Sequence, residues 1–538
     1  MPSEFAALAD RVVDDLLAAS PTRAHFAGDH RFDDRLPDFS DDAVRREVTL
    51  LRRRVDELAA VDPAGLDPHD DVDRQLLTAA VGERLFELTV SDERAWNPLL
   101  HNLGDLFFGL LAREVGDPDE RVDALAARLG ALPDAMATAE AVLEDCPRIH
   151  VETALVQLAG TTALISDEVP VLLSRVTGRH AVAEPAREAA LVALAQHRDF
   201  LTGLLGRSHR DPRLGRQLWE AMLRHALDSD LTAGDILDRA EAALQRVGEE
   251  LVEVAAELTG SSDVRAALDA LADDHPDDAT IIAKIERTLA AATDFVQEQQ
   301  LVTVLDDPLE IMVMPEYARG VAVAYCDAPG PLETRVVPTF YAVSPAPADW
   351  PPDRVASFYR EYNNHMLYGL TAHEAMPGHY LQLAHARRYA GASRVRAICQ
   401  SGTFVEGWAV YAEEVMVAHG YGGLPVRLQQ LKMQLRMTVN AILDHGVHCG
   451  DMTEADAMAM MTERGFQEEG EAAGKWRRAL LTATQLSTYF VGYTEMSRIG
   501  RARPAATSLR SWHDAMLAAG SPAPRHLARL IGMDAPAG

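Results

Sequence analysis

Apolar side chains recur along most of this chain at the spacing of one helical face. Over residues 4–19, Phe5, Leu8, Val12, Val13, Leu16 and Leu17 fall on one side of a helix. Alanine- and leucine-rich amphipathic stretches follow at 42–60, 70–90, 119–144, 150–176, 185–206, 213–227 and 233–259. Short clusters such as Asp62-Pro63, Gly116-Asp117-Pro118 and Asp211-Pro212 separate them. Residues 20–41 read as the longest non-helical piece near the start, and the lack of a fixed-period repeat excludes a solenoid. Between about 300 and 345 the pattern changes. Glu310 to Met314, Val321 to Tyr325 and Val336 to Val343 are short, β-branched or aromatic, and bounded by Gly and Pro, which predicts a small sheet. Helix returns at 352–368 and continues to about 533. The pattern therefore predicts a mainly α, multi-helical fold with a small β-sheet beside the site. A helical region over 1–300 and a site-bearing region over 301–538 are expected to pack around a deep cleft.

The 538 residues are 48% hydrophobic and 25% charged, an ordinary globular composition. The formal charge of −31 disfavours a nucleic-acid partner and an anionic membrane surface. Lysine occurs only at 284, 432 and 475, so arginine carries nearly all the positive charge. Cys146, Cys326, Cys399 and Cys449 are dispersed and form no paired motif. That distribution argues against a disulfide framework and for a reducing compartment. The acidic, amphipathic N-terminus does not read as a signal peptide, and no uncharged apolar run approaches ~18 residues. A cytoplasmic protein is expected, and a homodimer is compatible with the chain.

The candidate chemistry lies in TAHEAMPGHYLQ, residues 371–382. A histidine followed by glutamate, with a second histidine close behind, fits a zinc centre. Neutral imidazoles suit the ion, and the glutamate can take a proton from the water that the ion activates. Two histidines four residues apart would lie about 40° apart around a helix and share one ion. Here position 377 is proline and the next histidine is 379, about 120° away from His373 on an ideal helix. Pro377 conflicts with the His373 carbonyl, and Gly378 permits unusual backbone geometry. A widened or broken turn is therefore expected to bring His379 round. Glu406, 27 residues beyond His379 in SGTFVEGWAVYAEE, is the best third ligand. Glu413 shares its helix face, so one of the two glutamates can bind the ion while the other orients a histidine. Trp408 and Phe404 read as packing residues, and Asp444 and Arg436 as a supporting polar network.

The segments HEAMPGHYLQ and FVEGWAVYAEE resemble the bacterial family called domain of unknown function 885, whose members are candidate zinc metallopeptidases with an HExxPGH signature. The likeness extends to SPTRAHFAGDHRFDDRLPDFS at 20–40, RVVPTFYAV at 335–343, ILDHGVH at 442–448 and QLSTYFVGY at 485–493. That family is similar in turn to thimet oligopeptidase-like and carboxypeptidase Taq-like zincins, helical proteins with a deep cleft. The resemblance implies a zincin-like fold with His373, His379 and Glu406 as Zn2+ ligands and Glu374 as general base. It also nominates Tyr489, Tyr493 and His448 as oxyanion or substrate partners. Tyr380 departs from the pattern, since many members carry a second histidine at that position.

The expected function is zinc-dependent hydrolysis of amide or peptide bonds in short peptides or a peptide-like metabolite. The alternatives are a biosynthetic hydrolase of a specialised metabolite on the same scaffold, or a catalytically silent binding protein. The 336–343 strand is expected to offer a sheet edge to a peptide backbone.

Overall fold

The computed structural model describes residues 4–113, 117–176, 180–314, 323–348 and 350–533. The chain is 70% helical with one small sheet, as the apolar periodicity predicts. It divides into two compact units. The first comprises residues 1–212, 329–337 and 391–399, and the second comprises 213–328, 338–390 and 400–538. Residues 213–300 thus group with the site-bearing segments.

Local sequence explains where helices start and stop. Residues 20–41 are more regular than their Pro, Gly and Asp content indicates. Pro21–Ala27 is a helix: the Ser20 hydroxyl accepts from the Arg23 N–H, Pro21 occupies the first turn, and Gly28 closes the helix in the left-handed region. In the second unit, Thr232 and Asp235 form a reciprocal capping box at the start of Ala233–Thr259. The face of that helix carrying Leu244, Val247 and Leu251 is buried in the unit's core. The core also takes in much of the long helix Gly423–Cys449.

The sheet contains β1 (Leu309–Val313), β2 (Ala324–Asp327) and β3 (Thr339–Val343). Its order is β1-β3-β2, with β1 parallel and β2 antiparallel to β3. Residues 321 and 322 of the predicted second strand lie outside the described residues. The central position of β3 overturns one expectation. Both of its edges are paired, so its residues cannot add a substrate strand. Its role is support: Tyr341 is fully buried, and its hydroxyl lies 3.4 Å from the Thr371 hydroxyl on the helix Met366–Glu374. Among the described residues no helix is long and apolar enough to cross a membrane. All four cysteines are free.

Candidate metal centre

The HEAMPGH segment is two helices joined by a break. The first, Met366–Glu374, carries His373 and Glu374 at its C-terminal end. The second, His379–Ala386, begins with His379. Between them the Met376–Pro377 peptide is cis, and the Gly378 N–H donates back to the Ala372 carbonyl at 2.8 Å. Gly378 has φ −71°, so its role is not access to the left-handed region. What matters is close approach: a Cβ there would lie 1.9 Å from the His373 carbonyl oxygen and 2.4 Å from that of Ala372. Only a glycine lets the chain fold back this tightly onto the end of the preceding helix.

The break brings the two imidazoles together. Their ring centroids are 4.6 Å apart and their planes nearly perpendicular. The helix Gly402–Ala418 supplies the third group. Glu406 Oε2 lies 3.5 Å from His373 Nε2 and 3.5 Å from His379 Nε2. One ligand atom from each of His373, His379 and Glu406 falls within 4.8 Å of the others. Glu406 Oε2 is buried and has no hydrogen-bond partner. Leaving a buried carboxylate oxygen unbonded is costly, and a cation among these three groups would satisfy it. Two imidazoles and one carboxylate form a donor set that fits a catalytic zinc ion.

The next layer of residues orients the first. Glu413, about two turns along from Glu406 on the same helix face, is 3% exposed and accepts from His373 Nδ1 at 2.8 Å. In the neutral imidazole that bond makes Nδ1 the donor, so the Nε2 lone pair faces the shared locus. Burial works against charge on His373, but Glu406 and Glu413 outweigh it and hold its pKa well above the ordinary value. Burial likewise opposes ionisation of Glu406, but the two imidazoles prevail and keep its carboxyl well below the usual range. Replacing Glu413 by glutamine is therefore expected to weaken divalent-cation binding about 10- to 100-fold, measured by competition with a chromophoric chelator. Unchanged affinity would show that Glu413 does not orient the imidazole.

Trp408 has a role beyond the packing expected of it. Its indole N–H donates to the Pro377 carbonyl at 2.9 Å, tying the break to the Glu406 helix. Tyr380 turns elsewhere and donates to the Asp307 carbonyl at 2.6 Å.

The other nominated residues separate. The Gly402–Ala418 helix runs beside Gln485–Arg501 almost backbone to backbone, because a Cβ on Gly492 would lie 2.3 Å from the Thr403 carbonyl oxygen. This contact carries Tyr489 towards Glu406. Burial and then the Glu406 carboxylate push the Tyr489 phenol upward, so it stays protonated. Arg478 and Gln485 donate to its oxygen at 3.3 and 3.1 Å, which leaves its own proton available. Tyr493, one turn later, instead accepts from Gln434 at 3.0 Å. His448 is held by backbone. Its Nε2 lies 3.0 Å from both the Ala479 and Thr482 carbonyls, and its Nδ1 accepts from the Leu214 N–H at 3.3 Å. With both ring nitrogens engaged, His448 has none to offer a substrate. Glu374 is buried at the end of the His373 helix, and its charge acts on both His373 and Glu413.

Asp444 belongs to the support. It accepts from the Trp219 indole, the Thr484 and Ser487 N–H groups and the Ser487 hydroxyl, at 2.7 to 3.1 Å. These bonds anchor the start of the helix that bears Tyr489. Sequence spacing could not reveal this capping across elements.

The family model described as bacterial protein of unknown function (DUF885) matches residues 21–531. No curated protein matches the chain. Two solved structures share its fold. One, described as a candidate lipoprotein of unknown function from Shewanella oneidensis, is 26% identical, with a TM-score of 0.82 over 98% of this chain and 100% of that one. The other, described as a candidate lipoprotein from Colwellia psychrerythraea, is 16% identical, with a TM-score of 0.82 over 98% of each chain. At that second identity the likeness shows the fold alone.

Proposed function

The chain belongs to the bacterial protein family of unknown function DUF885, and from the geometry of its centre we propose that it is a zinc-dependent hydrolase of amide bonds in short peptides or peptide-like metabolites. The observation that carries this reading is the convergence of His373, His379 and Glu406, with Glu413 behind His373 and Glu374 beside it. His373, His379 and Glu406 would hold the ion. When bound, zinc supplies Lewis acidity, polarising a carbonyl and lowering the pKa of a water towards ~7.

The protein's own groups do the rest. Glu374 takes the proton of the attacking water and delivers it to the leaving nitrogen. Glu413 keeps His373 in the tautomer that directs Nε2 inward. Tyr489 donates its hydroxyl proton to the oxygen that gains negative charge, a contact typically worth about 2.7–4 kcal/mol.

Metal analysis and chelation test the proposal. The purified protein is expected to carry stoichiometric zinc and to cleave members of a short-peptide library. A strong chelator should abolish cleavage, and added zinc should restore it. Protein that retains peptide binding but neither holds zinc nor cleaves would assign the chain to the binding proteins.

A further inference from the structure

Behind Tyr489 lies a concentration of positive charge that runs against the composition of the chain. Two of its three lysines, Lys432 and Lys475, are buried there, 6% and 5% exposed. Arg436 and Arg478 complete the cationic set. The opposing carboxylates within the cluster are Glu361 and Glu471. Glu361 pairs with Lys432 at 2.8 Å and lies 3.7 Å from Arg436. Glu471 pairs closely with Arg436 and lies 3.9 Å from Lys475. Glu468, at the edge, faces a further cation, Arg360, at 3.9 Å. Four basic side chains thus meet two carboxylates, with Glu468 as a third at the edge, in a protein whose net charge is −31.

The least compensated member is Arg478, whose charge acts on Glu471 without forming an ion pair. No carboxylate pairs with it among the described residues. Among the described residues its side chain makes two hydrogen bonds, to the Gln485 side-chain oxygen at 2.5 Å and the Tyr489 hydroxyl at 3.3 Å, both from Nη2 and both to neutral groups. Nε and Nη1 remain for another acceptor. A half-buried guanidinium without a directly paired anion is costly, and a planar carboxylate is the partner its fork fits best. The neighbouring lysine responds to the same imbalance: burial, and then Arg436, push the Lys475 ammonium down to about 7.

We propose that Arg478, backed by Lys475 and Arg436, seats a carboxylate of the substrate beside the metal centre. The inference rests on the hydrolytic reading for its location and adds the substrate class: peptides or peptide-like acids whose carboxylate lies close to the scissile bond. A peptide's own C-terminus and an acidic side chain offer the same chemistry. Because Arg478 bonds to Tyr489, a carboxylate seated on it lies near the hydroxyl that meets the oxyanion.

Calorimetric binding to the zinc-loaded protein tests this without requiring turnover. The probes are an N-acetylated dipeptide with a free C-terminal carboxyl, its C-terminal amide, and an amide of equal length carrying glutamate. The free acid is expected to bind about tenfold or more tightly than the neutral amide. Arg478→Met should erase that preference, while Arg478→Lys should retain part of it. Binding of the glutamate amide as tightly as the free acid identifies a side-chain carboxylate, and weaker binding identifies the terminus. Equal binding of acid and neutral amide by the wild type, or a preference that survives in Arg478→Met, overturns the proposal. If Arg478→Met does not fold, the comparison of acid and amide on the wild type and Arg478→Lys still decides. The hydrolytic reading fails separately, through absence of zinc or of cleavage.

Discussion

Replacing Glu374 by glutamine is expected to lower peptide hydrolysis by about 10²- to 10⁴-fold while leaving zinc content unchanged. The two halves of this expectation have different physical sources. Glutamine preserves the shape of the side chain but cannot accept the proton of the attacking water, so the rate falls. Glu374 is not one of the three groups whose donor atoms converge, so the ion should stay. The side chain is buried, and the amide must find partners for its N–H groups, so the comparison includes thermal unfolding of both proteins. Full turnover in Glu374→Gln would remove Glu374 as the base. Loss of zinc together with turnover would instead make it part of the ion's support.

The sequence made the fold class and the convergence of His373, His379 and Glu406 legible for different reasons. Helical periodicity survives in tertiary structure because burial of one face selects it, as in the run from Phe5 to Leu17. The trio was legible because Pro377 forbids an ordinary two-histidine turn and because Glu406 follows at a distance that allows a returning helix. The choice between Tyr489 and Tyr493 was not legible. They lie four residues apart, nearly on one helix face, and differ mainly by about 6 Å along the axis. Only the register of that helix against Gly402–Ala418, set by the Gly407–Gly492 contact, decides which hydroxyl reaches the centre. His448 was misleading for a related reason. Its motif does not reveal that carbonyls from 479 and 482 occupy its Nε2. The order β1-β3-β2 was equally hidden, since a central strand and an edge strand can share the same apolar run.

The break at Pro377-Gly378 carries the second large effect. Gly378→Ala is expected to destabilise the protein by about 3 kcal/mol or more and to weaken zinc binding by at least about 100-fold. The added methyl would meet the carbonyl oxygens of His373 and Ala372 and the carbonyl carbon of His373, all backbone atoms of the helix end on which the chain folds back. No side-chain rotation can relieve such a contact. Either the end of Met366–Glu374 moves or the start of His379–Ala386 does, and each movement separates the two imidazoles. The Trp408 bond to the Pro377 carbonyl resists adjustment of the same segment, so strain would spread to the helix that carries Glu406. Denaturant unfolding and chelator competition measure the two consequences independently. Destabilisation with zinc affinity intact would mean that the methyl is accommodated away from the histidines. Loss of affinity in a variant that remains folded would show that the close approach at Gly378 is what aligns His379 with His373.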